Sequence, residues 1–197
     1  MATTKSGTSP AQRLLDAAST LFVREGIRAV GIERILSRAD VARASLYQTF
    51  GSKDALVVAY LDGQDESART RYTREAARLE DPRDRVLLTF DLAAKDAKRQ
   101  GFRGCLYLNA LTEFPEAGHP VRLAVDRHRA RLAGTWAEEL TAAGLADPGP
   151  TVAQLMLLYD GGLAGCKSAR SAEPVLQARD MAAELLERAL PRAVAAN

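Results

Sequence analysis

Arg43, Ser45, Tyr47, Gln48 and Thr49 fall on or near one side of a single short stretch. Their chemistry is hydrogen bonding. Guanidinium, hydroxyl and amide groups of this kind pair with base edges and with phosphate oxygens. Leu46 and Phe50, one helical turn apart, supply the opposite, inner face, and no acid lies between Val41 and Phe50. Something must hold that stretch in place. Upstream, Ile32, Ile35, Leu36 and Ala39 recur at helical spacing and make an apolar face. Between the two comes Ala39-Asp40-Val41, where Asp40 tolerates the left-handed backbone that a tight turn requires. The segment Gly31 to Leu56 therefore reads as a helix-turn-helix, whose second helix can enter a DNA major groove. Amphipathic helix pairs also occur in helical proteins that touch no nucleic acid. Here Gly51-Ser52-Lys53-Asp54 adds a second signal. Ser52 can cap a following helix, and Lys53 beside the open N–H groups of that helix makes a phosphate site.

Ile35, Ala39, Val41, Leu46-Tyr47, Phe50, Lys53 and Leu56 stand in a pattern that resembles the TetR-type transcriptional repressors. The run Arg13 to Ala18, then Leu21-Phe22 and Gly26, resembles the first helix of that DNA-binding domain. The likeness is strongest from Ala11 to Leu61. By resemblance, Arg43 and Ala44 are expected to read base edges. Ser45, Tyr47, Gln48 and Thr49 are expected to contact phosphates or thymine methyls, and Lys53 to bind phosphate. The chain departs from the pattern in several places. Asp40 replaces the turn glycine. Gly31 and Ala42 stand where hydroxyl residues often cap the second and third helices, and Thr49 replaces a frequent histidine or tyrosine. These changes remove hydroxyl contacts to phosphate without altering the expected fold. Arg43 on its own chemistry is either a base reader, a phosphate contact or a solvated surface charge.

The fold expected is all-α. An N-terminal three-helix DNA-binding head precedes a C-terminal helical ligand-binding and dimerisation domain, about nine helices in all. The expected divisions are a disordered arm over 1–10, the head over 11–56 and the body over 57–197. In the arm, Lys5 is the one candidate for a minor-groove contact, against the plainer reading of a floppy tail. The chain has 197 residues, 47% of them apolar, which suits a globular protein and excludes wholesale disorder. Net charge is +2 and unevenly placed. Residues 1–56 carry eight Lys/Arg against five Asp/Glu, and the remainder nineteen against twenty. A mildly basic head on a near-neutral body fits DNA binding. No stretch approaches the roughly 20 apolar residues of a membrane helix, and the start of the chain has no signal-peptide core. A cytoplasmic location and no membrane partner are expected.

Beyond the head, a long fourth helix starts near Ser52, with Leu56, Val57, Tyr60 and Leu61 inward and an arginine-rich later part. Asp81-Pro82 breaks it. A fifth helix is expected from about Arg83, a short apolar sixth over Cys105 to Leu111, and a seventh from His119-Pro120. The run GFRGCLYLNALTEFP is similar to the sixth-helix region of one TetR subgroup. The last two helices, Thr151 to Ser168 and Pro174 to Leu190, carry small and apolar residues. By pattern alone they are equally monomer core or a two-fold four-helix interface. The resemblance implies a homodimer through them.

The resemblance also implies a pocket for a small hydrophobic or aromatic effector. Its candidate lining is Phe90, Phe102, Leu106, Asn109, Phe114, His128, Trp136, Met156 and Tyr159, with Asn109, His128 and Tyr159 as polar anchors. Taken singly, each is ordinary core. Cys105 and Cys166 lack zinc or redox spacing with each other or with His119 and His128, so no metal and no cofactor are expected. The plain reading of both cysteines is a small buried hydrophobe, and a thiol sensor is the lesser alternative. No nucleophile triad, phosphate-cradling glycine loop or paired metal motif supports an enzyme. The expected function is a sequence-specific regulator, released as a repressor from a near-palindromic operator by its ligand. A helical scaffold without DNA binding, or a small helical enzyme, is the alternative.

Overall fold

The computed structural model describes residues 8–99 and 102–190. Residues 1–7, and with them Lys5, lie outside the described residues. Among those described there are nine helices and no strand. In chain order they are α1 (Pro10–Glu25), α2 (Ile32–Ala39), α3 (Arg43–Phe50), α4 (Lys53–Ala76), α5 (Pro82–Ala97), α6 (Leu106–Glu113), α7 (Pro120–Ala142), α8 (Gly149–Ala169) and α9 (Glu173–Ala189).

The chain divides into two compact units. One takes the described residues up to Asp65 together with Asn109–Asp126, and the other takes those of Glu66–Leu108 and those from Arg127 onward. The boundary expected at 56/57 falls inside α4, which runs unbroken through it. Ser9 and Pro10, placed in the arm by the sequence, instead start α1. Ser9 Oγ accepts from the Gln12 N–H at 3.2 Å, and Pro10 occupies the first turn, where a missing N–H costs nothing.

In the first unit, α1 turns Leu14, Ala17, Ala18, Leu21 and Phe22 inward, and α2 adds Ile35, Leu36 and Ala39. Asp40 follows with φ 52° and ψ 54°, the left-handed conformation expected of the turn. From α3 a single side chain, Leu46, is fully buried, and Phe50 is half-buried. The start of α4 completes this core with Leu56, Val57, Tyr60 and Leu61, and Tyr60 meets Phe22 edge-on at 5.5 Å.

In the second unit, the largest core cluster joins α5, α7, α8 and α9 through Phe90, Trp136, Leu140, Leu155, Val175, Ala182 and Leu186. Two glycines set the approach of α8 to α9. A Cβ on Gly162 would lie 2.9 Å from the Ala178 Cβ and 3.0 Å from the Val175 Cα, and one on Gly165 would lie 2.6 Å from the Pro174 Cβ. The helix-weakening glycines thus serve a contact within the subunit, at an intrinsic cost of about 1 kcal/mol each. Gly161 differs. It is exposed, and a Cβ there would meet nothing within 4 Å.

Candidate nucleic-acid interface

Helix α3 buries one side chain fully. Leu46 anchors it, and the Gly51 N–H closes its last turn on the Tyr47 carbonyl at 2.9 Å. Ala42 at its N-terminus offers no side-chain cap, so the helix start keeps open N–H groups. Arg43, Ala44, Tyr47, Gln48 and Thr49 are exposed together, while Ser45 is half-buried. Tyr47 is 43% exposed, a large ring left at the surface beside an amide and a hydroxyl. That is a face of hydrogen-bonding groups on a helix of groove-entering size. Arg43 is the one charged residue on α3, and its Nη2 donates to the Glu33 carboxylate in the first turn of α2.

Lys53 has a second occupation besides the one expected of it. Its Nζ donates to the Ile27 carbonyl at 2.8 Å and to the Arg28 carbonyl at 3.4 Å. Burial lowers its pKa, partly offset by the nearby Asp54 and Glu113. Three donors on an ammonium leave one for an outside oxygen. The cap of α4 forms as expected, with the Ala55 N–H on Ser52 Oγ at 3.0 Å.

Sequence reasoning missed Glu113. Its Oε1 accepts from the Ile27 N–H at 3.1 Å and its Oε2 from the Arg28 N–H at 2.6 Å. The bend it holds includes Gly26, at φ +91°, where an added Cβ would sit 3.3 Å from the same carboxylate. One signal was present: Glu113 is the last residue of α6, where the helix dipole disfavours an acid. Arg28 also lies over the Phe114 ring at 4.9 Å, and His119 approaches Asp54 at 3.4 Å.

The candidate effector residues divide. Phe90, Trp136 and Tyr159 form one aromatic group, with Phe90 and Trp136 stacked at 5.8 Å and Tyr159 edge-on to both. Phe102 and Met156 pack on the same core. The Tyr159 hydroxyl is held well above its ordinary pKa by burial, then by the neighbouring Cys105, Asp96 and Asp160, against an opposing effect of Arg71. The two carboxylates belong to bidentate ion pairs, Arg71–Asp96 at 2.7 and 2.5 Å and Arg129–Asp160 at 3.0 and 2.7 Å. His128 stacks flat on Tyr107 at 3.5 Å. Asn109 and Phe114 fall in the other compact unit, and Phe114 is packed against Arg28 and His119. Leu106 is half-buried at the start of α6. Cys105 and Cys166 are free thiols, and burial pushes the Cys105 pKa up. Among the described residues no group of His, Cys, Asp or Glu is placed to hold a metal ion.

A three-helix head that turns a polar, acid-free helix outward defines a helix-turn-helix DNA-binding protein. Residues 14–60 match the family model described as bacterial regulatory proteins, tetR family. The crystal structure of SCO4454, a TetR-family transcriptional regulator from Streptomyces coelicolor, is similar over 92% of this chain and 97% of that one, with 33% identity and a TM-score of 0.85. The transcriptional activator FasR of Mycolicibacterium smegmatis is 31% identical over 118 residues, 58% of this chain and 52% of that protein. The transcriptional repressor NemR of Escherichia coli is 27% identical over 118 residues, 59% of each. This chain belongs to the TetR family, and it is a DNA-binding transcriptional regulator.

Proposed function

We propose that the chain binds a near-palindromic operator as a homodimer, represses from it, and is released by a small hydrophobic or aromatic ligand. The observation that carries the reading is the outward face of α3, with Leu46 buried behind Arg43, Ala44, Tyr47, Gln48 and Thr49. In this reading Arg43 pairs with guanine O6 and N7, Ala44 packs against a base edge, and Ser45, Tyr47, Gln48 and Thr49 contact phosphates or thymine methyls. Lys53 gives its remaining N–H to a phosphate at the start of α4.

Dimerisation through α8 and α9 is supported by what the subunit leaves uncovered. Ala153, Leu157, Gly161 and Ala164 form an exposed stripe along α8, with Leu157 74% exposed, and Met181 on α9 is 55% exposed. Two heads then meet successive major grooves about 34–36 Å apart. The ligand site proposed is the aromatic group Phe90, Trp136 and Tyr159 with Phe102 and Met156, and Leu106 and His128 remain its candidate margin. The ligand acts by favouring the released state through differential affinity. The proposed location is the cytoplasm with the DNA it binds, and among the described residues no helix is long and apolar enough to cross a membrane.

A footprint on the DNA flanking the coding region tests the reading. Two protected half-sites of inverted sequence, one helical turn apart, are expected, and Lys53→Ala should reduce the salt slope of binding by about one. Salt-insensitive or absent binding there, and on duplexes selected from a random pool, would remove the operator model. A reporter fused to that promoter gives the sign: expression that falls without the protein would assign activation, as in FasR, rather than repression, as in NemR.

A further inference from the structure

The contact between Glu33 and Arg43 is unusual in its placement. It joins the first turn of α2 to the first residue of α3 and engages the one charge that the recognition helix carries. Both side chains are exposed, at 71% and 59%, so the pair contributes little to holding the head together. Its electrostatic effect on DNA is larger. From Gly31 to Phe50 the acids are Glu33 and Asp40, and Asp40 is taken up by the turn between the helices. A carboxylate at Glu33 opposes the approach of phosphates and holds the arginine that would otherwise swing to them. It takes one N–H of Nη2, and the other Nη2 N–H still pairs with the N–H beside it on the planar fork to face a planar acceptor.

We propose that Glu33 is a specificity-determining residue. It holds the Arg43 guanidinium for bidentate contact with a guanine and lowers affinity for every sequence that lacks one at that position. This inference rests on Arg43 as a base reader. Glu33 itself touches no base; it is a positioning residue, and glutamine in its place keeps the shape and loses the charge.

Selection of full-length protein on a randomised duplex pool reads base preference directly, whatever the operator sequence. Titration of an unrelated duplex against salt reads the non-specific part. For Glu33→Gln we expect tighter binding to the unrelated duplex, a salt slope larger by about one as Arg43 turns to a phosphate, and preference at one base pair per half-site reduced about fivefold or more. Arg43→Ala should erase preference at that same pair, and Glu33→Gln should change nothing further there in the Arg43→Ala background. If Glu33→Gln keeps the full preference while Arg43→Ala loses it, Glu33 has no part in specificity and base reading by Arg43 stands. If Arg43→Ala itself keeps the preference at every position, base reading fails and the role of Glu33 fails with it.

Discussion

Pairs within one helix aside, the ion pairs that join separate segments are more exposed in the first compact unit than in the second. In the first, Arg43–Glu33 and Arg28–Glu116 at 3.8 Å are exposed on both sides, and Arg34–Glu25 at 2.6 Å is exposed on its arginine side. In the second, Arg71–Asp96, Arg129–Asp160 and Arg179–Asp91 sit half-buried, the first two of them bidentate. An exposed pair adds little to folding stability, so its groups are free to serve a contact outside the subunit as well. A half-buried bidentate pair is costly to break from one side, because the remaining ion keeps its desolvation penalty without its partner. The difference separates a surface that can serve an outside partner from an interior built to keep its own contacts.

Removing one buried partner should break the comparison most visibly. Asp160→Ala removes the half-buried bidentate partner of Arg129 and should cost about 2–4 kcal/mol in denaturant unfolding. Glu33→Gln should cost under about 1 kcal/mol in the same assay. Equal losses would mean that burial does not distinguish the two sets.

The first unit does bury one titratable group, and pH exposes it. Burial raises the Tyr60 phenol to about 12, against a small opposing effect from Ser19. Folded Tyr60 stays neutral while the unfolded chain ionises above about pH 10. Its contribution is therefore complete below pH 10 and is lost as pH rises toward 12, on the order of 2 kcal/mol. Tyr60→Phe should flatten that alkaline loss in a pH series of unfolding curves. An unchanged slope would place the loss elsewhere.

The glycines of α8 sharpen the contrast within one helix. Gly162→Ala forces a Cβ against Val175 and Ala178 and should destabilise by about 1–3 kcal/mol. Gly161→Ala meets open space in the subunit and should stabilise the helix by up to about 1 kcal/mol. If Gly161→Ala instead shifts sedimentation toward monomer, the exposed stripe on α8 is a close-packed interface between subunits.

What was legible in the sequence was local. Ile35, Leu36, Ala39 and Leu46 declare their burial by spacing, and Asp40 declares its turn by residue type, because helix periodicity and left-handed backbone are decided within a few residues. Helix starts shifted by a residue or two where a proline or glycine could sit inside the first turn, as at Pro82 of α5 and Gly149 of α8. Contacts between distant residues were not legible. Glu113 meets Ile27 86 positions away, and no local pattern encodes that pairing. The glycines of α8 announced close packing but not its partner, since Pro174, Val175 and Ala178 of the same chain satisfy the pattern as well as a second copy would. Lys53 was visible as a cation at a helix start, while its carbonyl partners were not.

The most direct measurement is the affinity of wild type and Arg43→Ala for a duplex selected from a random pool, beside an unrelated duplex, at one salt concentration. If α3 reads bases, Arg43→Ala loses about 1–3 kcal/mol on the selected duplex and far less on the unrelated one. Equal losses on the two would contradict it.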